Sequence, residues 1–233
     1  AGDVNGDGLA DLLISAPFSD PAARSSAGRS YVIFGRTATT AVDLSSLAAT
    51  NDGSSGGFVI NGQCTGDLSG WSISGAGDVN GDGLADLLVS APNSDPPGLN
   101  NAGRTYVVFG RTATTALNLS SLAAATSGST DGFVINGQSA SERSGWSVSS
   151  AGDVNGDGLT DLLVSAPYSN PAAGNSAGRT YVVFGRTATT PIDLSAIAAT
   201  TSGGSGGFVI NGQCEFDSSG WSVSSAGDVN GDG

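Results

Sequence analysis

Short apolar runs separated by glycine-rich turns recur along the chain, and each run has the length and composition of a β-strand. In the first part of the chain they cover residues 9–17 ("LADLLISAP"), 28–36 ("GRSYVIFGR"), 57–62 ("GFVING") and 70–79 ("GWSISGAGDV"). Their β-branched, leucine and aromatic residues, bounded by Gly and Pro, favour strands over helices. The pattern therefore predicts four strands in each copy.

A longer, more polar segment lies between the second and third runs. It covers residues 37–50 ("TATTAVDLSSLAAT"), where Asp43 is placed to cap about one turn of helix over "LSSLAA". Asn118 and Asp193 occupy the same position in the later copies. The segment is predicted to be a surface loop that carries a short helix.

The whole pattern repeats with a constant period. The first aspartates of the repeated motif are Asp3, Asp78, Asp153 and Asp228, each 75 residues after the one before. The predicted units are residues 1–75, 76–150 and 151–225, with the truncated start of a fourth unit at 226–233. Because the sequence stops inside a motif, its ends are expected to be cuts through a longer array.

Tandem four-stranded antiparallel units predict an all-β fold, a β-propeller in which each blade buries its apolar faces against its neighbours. Propellers have about four to eight blades, so three are too few to close a ring. The chain is therefore expected to be part of a longer propeller. Two alternatives stay open: half of a six-bladed dimer, or one segment of an open head-to-tail assembly.

Charge and composition narrow the choice of partners. Acidic residues number 21 against 8 basic ones, and the formal net charge is −13. Such a charge repels nucleic acid and anionic lipid and attracts cations. The chain has no His, which removes the usual general base. No apolar run reaches the about 20 residues that a membrane helix needs. Neither catalysis nor membrane insertion is predicted.

The repeated motif "DVNGDGLAD" carries the candidate chemistry. Oxygen-bearing side chains stand at its positions 1, 3, 5 and 9, which are Asp3, Asn5, Asp7 and Asp11, and the carbonyl of Leu9 stands at position 7. A hard cation such as Ca²⁺ takes about six to eight oxygen ligands, which these groups and water supply. The equivalent residues are Asp78, Asn80, Asp82, Leu84 and Asp86, then Asp153, Asn155, Asp157, Leu159 and Asp161, then Asp228, Asn230 and Asp232. About one Ca²⁺ is predicted per complete unit.

Other interpretations of the motif are weaker. Asn-Gly and Asp-Gly also form plain hairpin turns, but a turn needs no carboxylate at position 9. An EF-hand places a carboxylate at position 12, where this chain has Ile14, and it is flanked by helices. The calcium loops of dockerins are also followed by helices and come as a close pair. The spacing here favours one loop per sheet.

The segment Ser144–Pro167 ("SGWSVSSAGDVNGDGLTDLLVSAP") resembles the FG-GAP repeat of integrin α-subunit propellers and of their bacterial relatives. The resemblance implies a calcium loop between the two innermost strands of a blade, so each unit as numbered starts at a blade's second strand. The near-identity of the units resembles secreted bacterial repeat proteins. Ser15, Ser90 and Ser165 replace the Gly of the family's Gly-Ala-Pro, which weakens any transfer of integrin ligand specificity.

Several repeated positions outside the motif are candidates for structure or recognition. Trp71, Trp146 and Trp221 are predicted to pack between blades, with stacking on sugars as the alternative. The acids that precede them, Asp67, Glu142 and Asp217, are predicted to make local loop hydrogen bonds rather than a ligand-facing ring. The repeated arginines are predicted to pair with acids or to cap loops; they are Arg29, Arg104 and Arg179, and likewise Arg36, Arg111 and Arg186.

Positions that vary between units are better candidates for recognition. Phe18, Asn93 and Tyr168 follow the Ser-Ala-Pro of each unit on a loop, and the repeat does not dictate them. Cys64 and Cys214 stand in equivalent places two units apart, too distant for a disulfide within a regular propeller. An intermolecular bridge stays open.

These patterns together predict a non-enzymatic, calcium-binding extracellular module for adhesion, matrix or cell-surface recognition, of bacterial type. A protein or glycan ligand is expected on the loops, and head-to-tail self-association is a further expectation. The alternatives are an accessory propeller of a secreted hydrolase and a carbohydrate-binding lectin propeller. Neither nucleic acid nor an inserted membrane segment is expected as a partner.

Overall fold

The computed structural model describes residues 1–49, 56–199 and 206–227, and it places these residues in β-sheets joined by loops and short helices. The predicted ligands Asp228, Asn230 and Asp232 lie outside the described residues. The strands are β1 (Leu12–Ala16), β2 (Arg29–Ile33), β3 (Gly57–Asn61), β4 (Ile73–Gly77), β5 (Asp86–Ala91), β6 (Arg104–Val108), β7 (Leu117–Asn118), β8 (Gly132–Asn136), β9 (Val148–Gly152), β10 (Asp161–Ala166), β11 (Arg179–Val183), β12 (Ile192–Asp193) and β13 (Gly207–Asn211). The helices are α1 (Leu44–Ala49), α2 (Leu119–Ala124) and α3 (Leu194–Ala198), and a 3-10 turn covers Pro21–Ala23.

The strands of the described residues form three sheets with the same order. Sheet 1 is β1-β2-β3-β7, sheet 2 is β4-β5-β6-β8-β12, and sheet 3 is β9-β10-β11-β13. Neighbouring long strands are antiparallel, as in the pairing of Leu87 with Val108 between β5 and β6. Strand β4 comes from the end of the first unit, so a sheet starts with the last strand of the preceding unit. The all-β architecture is confirmed, and the described residues do not close a ring.

The core lies between the sheets because each strand sends alternate side chains to opposite faces. In β5, Leu87 and Val89 pack in one cluster with Phe58 of sheet 1. Leu88, between them, packs with Leu162 of sheet 3. All of these side chains are almost completely buried. Sheet 2 is thus apolar on both faces and is stabilised by the sheets on either side, as expected for stacked repeats.

The segment between the second and third long strands of a unit contains the predicted short helix in all three units, but in the second and third units it is more than a surface loop. Its strand β7 pairs in parallel with β3, so that Leu117 lies beside Ile60. Strand β12 pairs with β8 in the same way. Helix α2 then buries Leu119 and Leu122 against the neighbouring sheet. The segment therefore ties each unit to the outer strand of the preceding sheet.

This pairing also explains why only one of the three predicted helix caps forms. The Oδ1 atom of Asp43 accepts the Ser45 N–H at 2.9 Å. Asn118 makes no cap; its Oδ1 accepts a hydrogen bond from the Asn61 amide at 3.1 Å. Asp193 likewise makes no cap and accepts from an asparagine of the preceding sheet. In these two units the side-chain oxygen accepts a hydrogen bond from the preceding sheet and not from the helix N-terminus.

Arg29, Arg104 and Arg179 bind amides, whereas Arg111 pairs with Asp131 and Arg36 and Arg186 bond to loop carbonyls, as predicted. Arg104 Nε donates to Asn136 Oδ1 at 3.1 Å, and its Nη1 donates to Gln63 Oε1 at 2.8 Å. The buried Tyr106 hydroxyl donates to the same Gln63 oxygen at 2.7 Å. Because Gln63 follows strand β3 and the other two lie on β6, this polar network joins sheet 1 to sheet 2. Gln138 joins sheet 2 to sheet 3 in the same way.

Candidate functional site

The second and third acidic motifs each form the loop between the first two long strands at one end of a sheet, and the first motif leads into β1 in the same way, closed by a bridge between Gly2 and Asp11. The loop 78–85 connects β4 to β5, and the loop 153–160 connects β9 to β10. Gly81 and Gly83 have φ angles of +80° and +88°, a conformation that side-chain-bearing residues rarely adopt. The positive φ angles of these glycines turn the chain, so that Asp78, Asn80 and Asp82 lie in one loop.

The first aspartate organises the loop backbone. Asp78 Oδ1 accepts the N–H groups of Gly81 and Asp82 at 2.7 and 3.1 Å, and its Oδ2 accepts that of Gly83 at 2.9 Å. In the equivalent loops, hydrogen bonds led by those from Gly8 and Gly158 hold the pKa of Asp3 and of Asp153 below the usual range. These hydrogen bonds fix the position 1 carboxylate in place and favour the ionised form of Asp3 and Asp153.

The aspartate at position 9 is buried at the start of the second strand. Asp86 is 0% exposed; its Oδ2 accepts the Val79 N–H and its Oδ1 accepts the Gly110 N–H, both at 2.8 Å. Burial, opposed by the hydrogen bonds from Gly110 and Val79 and aided by the charges of Asp82 and Asp78, raises the pKa of Asp86 to about 6. A divalent cation in the loop would favour the ionised form and offset this repulsion.

The three complete loops share one hydrogen-bond pattern. Asp11 and Asp161 are as buried as Asp86, and each accepts two backbone N–H groups in the same way. The middle residues also agree, since the amide of Asn80 donates to Asp82 Oδ2 at 2.9 Å and the first and third loops repeat this contact. The three complete loops therefore have the same structure.

The donor set fits a hard cation in its chemistry. Each complete loop offers three carboxylates, one amide oxygen and backbone carbonyls, with neither nitrogen nor sulfur donors. A carboxylate oxygen that accepts one N–H keeps a further lone pair for a metal. Within the described ranges, the structure does not gather three or more carboxylate or thiol side chains into a metal-holding group. Backbone amides hold the carboxylates instead.

The loops also connect neighbouring sheets. The N–H of Ala85 donates to the Asp3 carbonyl at 2.9 Å, and the N–H of Thr160 donates to the Asp78 carbonyl at the same distance. In addition, the Arg111 N–H donates to the Val4 carbonyl at 2.7 Å. A change in the conformation of one loop therefore reaches the next sheet directly.

The tryptophans pack between consecutive blades, as predicted, but they form a partly exposed aromatic column rather than part of the buried core. The ring centroids of Trp71 and Trp146 lie 5.1 Å apart, and those of Trp146 and Trp221 lie 5.0 Å apart. Trp71 is 38% exposed and Trp221 is 54% exposed. Consecutive sheets do meet at these rings, but one edge of the column faces solvent.

Two of the three acids that precede the tryptophans, Asp67 and Asp217, make the predicted local contacts, whereas Glu142 bonds to the next blade. Asp67 Oδ2 accepts the Cys64 N–H at 3.2 Å, and Asp217 accepts the Cys214 N–H in the same manner. Glu142 Oε1 accepts the Ser169 hydroxyl at 3.1 Å, whereas its Oε2 is buried and has no hydrogen-bond partner among the described residues. Both cysteines are free and exposed.

Replacing Glu142 with Gln is expected to change the pH dependence of stability. Burial raises the pKa of Glu142 above its usual range. The stability that this group contributes is therefore fully present below its usual pKa and is lost as the pH rises through the folded pKa. Glu142→Gln should be more stable than the wild type at neutral pH, and the difference should disappear as the pH falls below the usual pKa of a glutamate. Urea unfolding across this range measures the difference, with Glu215→Gln as the exposed control for net charge. Parallel curves for wild type and Glu142→Gln would contradict it.

Sequence reasoning missed Arg143, which lies beside this column. Its guanidinium carbon is 5.9 Å from the Trp146 ring centroid and 5.5 Å from that of Tyr168. The signal that would have found it is the alignment of the units, because Leu68 and Ser218 stand at the same position.

Comparison with known families agrees with the geometry of the loops and sheets. The FG-GAP repeat profile matches residues 1–33, 69–108 and 144–183, each match spanning the two strands that follow a loop. The chain belongs to the FG-GAP repeat family. Its sheets are accordingly blades of the propeller type that the resemblance implied, and the chain is a repeat module.

Several curated proteins share this region. Phosphatidylinositol-glycan-specific phospholipase D of Bos taurus is 31% identical over 176 residues, which is 76% of this chain and 19% of that protein. Integrin alpha-IIb of Mus musculus is 30% identical over 150 residues, 62% of this chain and 13% of that protein. The chain thus spans about a fifth of the length of the phospholipase relatives that it matches. None of the helices in the described residues is long and apolar enough to cross a membrane.

Proposed function

We propose that the FG-GAP units form a calcium-stabilised, non-enzymatic extracellular module that serves adhesion, matrix building or cell-surface recognition. The observation that carries this proposal is the threefold loop with an all-oxygen donor set, of which the first two copies are hydrogen-bonded to the next sheet. Ca²⁺ in a loop would hold the ends of two strands together and stiffen the contact between blades. The similarity to an integrin α chain supports the recognition role.

Calcium binding is tested by replacing the exposed aspartate at position 5 of every complete loop. The triple variant Asp7→Asn, Asp82→Asn, Asp157→Asn removes one charged ligand per loop and leaves the buried position 9 intact. Wild-type protein should gain about 2.7 kcal/mol of stability per site at a Ca²⁺ concentration of 100 times the Kd, and the triple variant should lose this gain. Calorimetric titration and thermal unfolding with Ca²⁺, Mg²⁺ or chelator measure it.

A matched control removes similar charge from another loop. Asp20 and Asp95 accept backbone N–H groups in turns where the third unit has Asn170 in the same role. The variant Asp20→Asn, Asp95→Asn should therefore fold and keep the full response to Ca²⁺. An equal response of the triple variant and this control would contradict the assignment of the loops.

The phospholipase relatives favour a second function, a non-catalytic propeller that accompanies a hydrolase. The recombinant chain should then have no phospholipase activity, whereas the protein purified from its source should have it. Absence of hydrolase activity from the source protein would leave the recognition module as the function.

A further inference from the structure

We propose that a pocket between the second and third blades binds a saccharide that carries a carboxylate, such as a hexuronate. The inference deepens the recognition role proposed above by naming the ligand class and its site. The interblade pocket has a volume of about 600 Å³ and is lined by Asn101, Ser141, Arg143, Tyr168, Asn170 and Asn175, among others.

Two loop systems build this pocket at the end of the sheets opposite to the acidic motifs. Asn101 lies in the loop that follows β5, whereas the acidic loop 78–85 precedes β5. The N–H of Arg143 donates to the Asn101 carbonyl at 3.2 Å, which fixes the loop before Trp146 against the second blade. Tyr168 comes from the equivalent loop of the third blade.

The aromatic wall of the pocket is continuous with the tryptophan column. The Tyr168 ring lies 5.5 Å from Trp146 in an edge-on contact, and 6.1 Å from Trp221, which is 54% exposed. Flat, partly exposed rings of this kind bury the C–H face of a sugar ring while its hydroxyls stay available to polar groups. The side chains of Asn101, Asn170 and Asn175 place amide donors and acceptors beside this wall.

Arg143 supplies a cation whose donors are free. Its guanidinium lies over the rings of Trp146 and Tyr168, and no hydrogen bond or ion pair of this side chain is formed with any residue that the structure describes. Its φ of +53° is shared by the equivalent Leu68, with +56°, so the backbone is set by the repeat and not by this residue. An unpaired guanidinium is suited to bind a carboxylate through two parallel hydrogen bonds.

The pocket between the second and third blades differs in charge from the equivalent place between the first and second blades. There the same two positions are Leu68 and Asp95, with a formal charge of −1, whereas here Arg143 and Asn170 give +1. Asn170 keeps the turn, since its Oδ1 accepts the Ser176 N–H at 2.7 Å as Asp95 accepts the Asn101 N–H. The exchange therefore removes repulsion toward an anion without altering the loop.

Two acids nearby do not cancel this charge. The carboxylate of Glu142 is buried and turned to Ser169. Glu215 lies at the rim, where its Oε1 accepts the Asn175 N–H at 3.3 Å. In a chain with a net charge of −13, one unpaired arginine among amides and aromatic rings selects an anionic group that also has an apolar face. A uronate sugar has both.

The test uses residues that the sister repeats already carry, so that folding is preserved. Arg143→Leu introduces the residue of unit one, and Tyr168→Asn introduces the residue of unit two. Wild-type protein, at constant Ca²⁺, should bind one glucuronate-containing tetrasaccharide in calorimetric titration, and an N-acetylglucosamine tetrasaccharide far more weakly. Each variant should weaken binding of the uronate probe by at least about tenfold, the expected effect of losing a charge-assisted contact or a stacking ring.

A gain of binding provides the stricter test. The variant Leu68→Arg, Asn93→Tyr, Asp95→Asn rebuilds the pocket between the first two blades, beside Trp71, and should raise the number of bound tetrasaccharides from one to two.

Equal binding of charged and neutral sugars, or unchanged affinity of Arg143→Leu, would overturn the proposal. So would tighter binding of an acidic tetrapeptide, because the ligand would then be a peptide. These outcomes are independent of calcium binding, which the loop variants report separately.

Discussion

Gly103→Ala is expected to lower the free energy of unfolding by about 3 kcal/mol or more. Gly103 has a φ of +85°, and a Cβ on it would lie 2.1 Å from the Ser144 carbonyl oxygen and 2.7 Å from the Ser144 nitrogen. Both atoms belong to the backbone of the neighbouring loop, where the Ser144 N–H donates to the Ala102 carbonyl at 2.8 Å. The loop has to move and lose this hydrogen bond, because no side chain can swing away.

The control for Gly103→Ala is a glycine with the same backbone conformation and open space. Gly98 lies in the same loop with a φ of +79°, and a Cβ on it would have no neighbour within 4 Å. Gly98→Ala should therefore show only the conformational cost of about 1 kcal/mol. Chemical unfolding followed by tryptophan fluorescence compares the two. Equal losses would show that the close approach of the two loops does not determine stability.

The repeat made most of the fold predictable from the sequence. The period of 75 residues determines which residues are equivalent, so a strand predicted in one unit is predicted in every unit. The order of strands followed from the family resemblance, and β4 indeed begins the second sheet. The spacing of Asp78 and Asp86 predicted that both belong to one loop, and the structure places them at its two ends.

The errors arose where contacts between units decide the structure. The sequence around Leu117 predicts a loop because the strand with which it pairs is distant in the chain. Its partner, Ile60, lies 57 residues earlier. Trp146 packs between blades, as its repetition predicts, but the two tryptophans beside it, Trp71 and Trp221, are 38% and 54% exposed. The double role of Asp86, as a buried acceptor and as a candidate ligand, depends on Gly110, which lies in a different turn. The local sequence pattern does not reveal these contacts between residues that are distant in the chain.

Asp86→Ala is expected to destabilise the protein by about 3 kcal/mol even when chelator removes all Ca²⁺. The carboxylate is fully buried and accepts the N–H groups of Val79 and Gly110, both at 2.8 Å. Removing it leaves two donors without a partner inside the sheet, and each costs about 1–3 kcal/mol. The variant should also lose the calcium response of the second loop.

Asp82→Ala separates these two effects in the same loop. Asp82 is exposed, and its Oδ1 accepts the Leu84 N–H at 2.9 Å, a group that water can satisfy once the carboxylate is gone. In chelator Asp82→Ala should therefore remain within about 1 kcal/mol of the wild type, while Asp86→Ala is far less stable. In Ca²⁺ both should lack the stabilisation of one site. Equal stability of the two variants in chelator would mean that Asp86 acts only through a bound ion, and its hydrogen bonds to Val79 and Gly110 would then not be what fixes the loop to the blade.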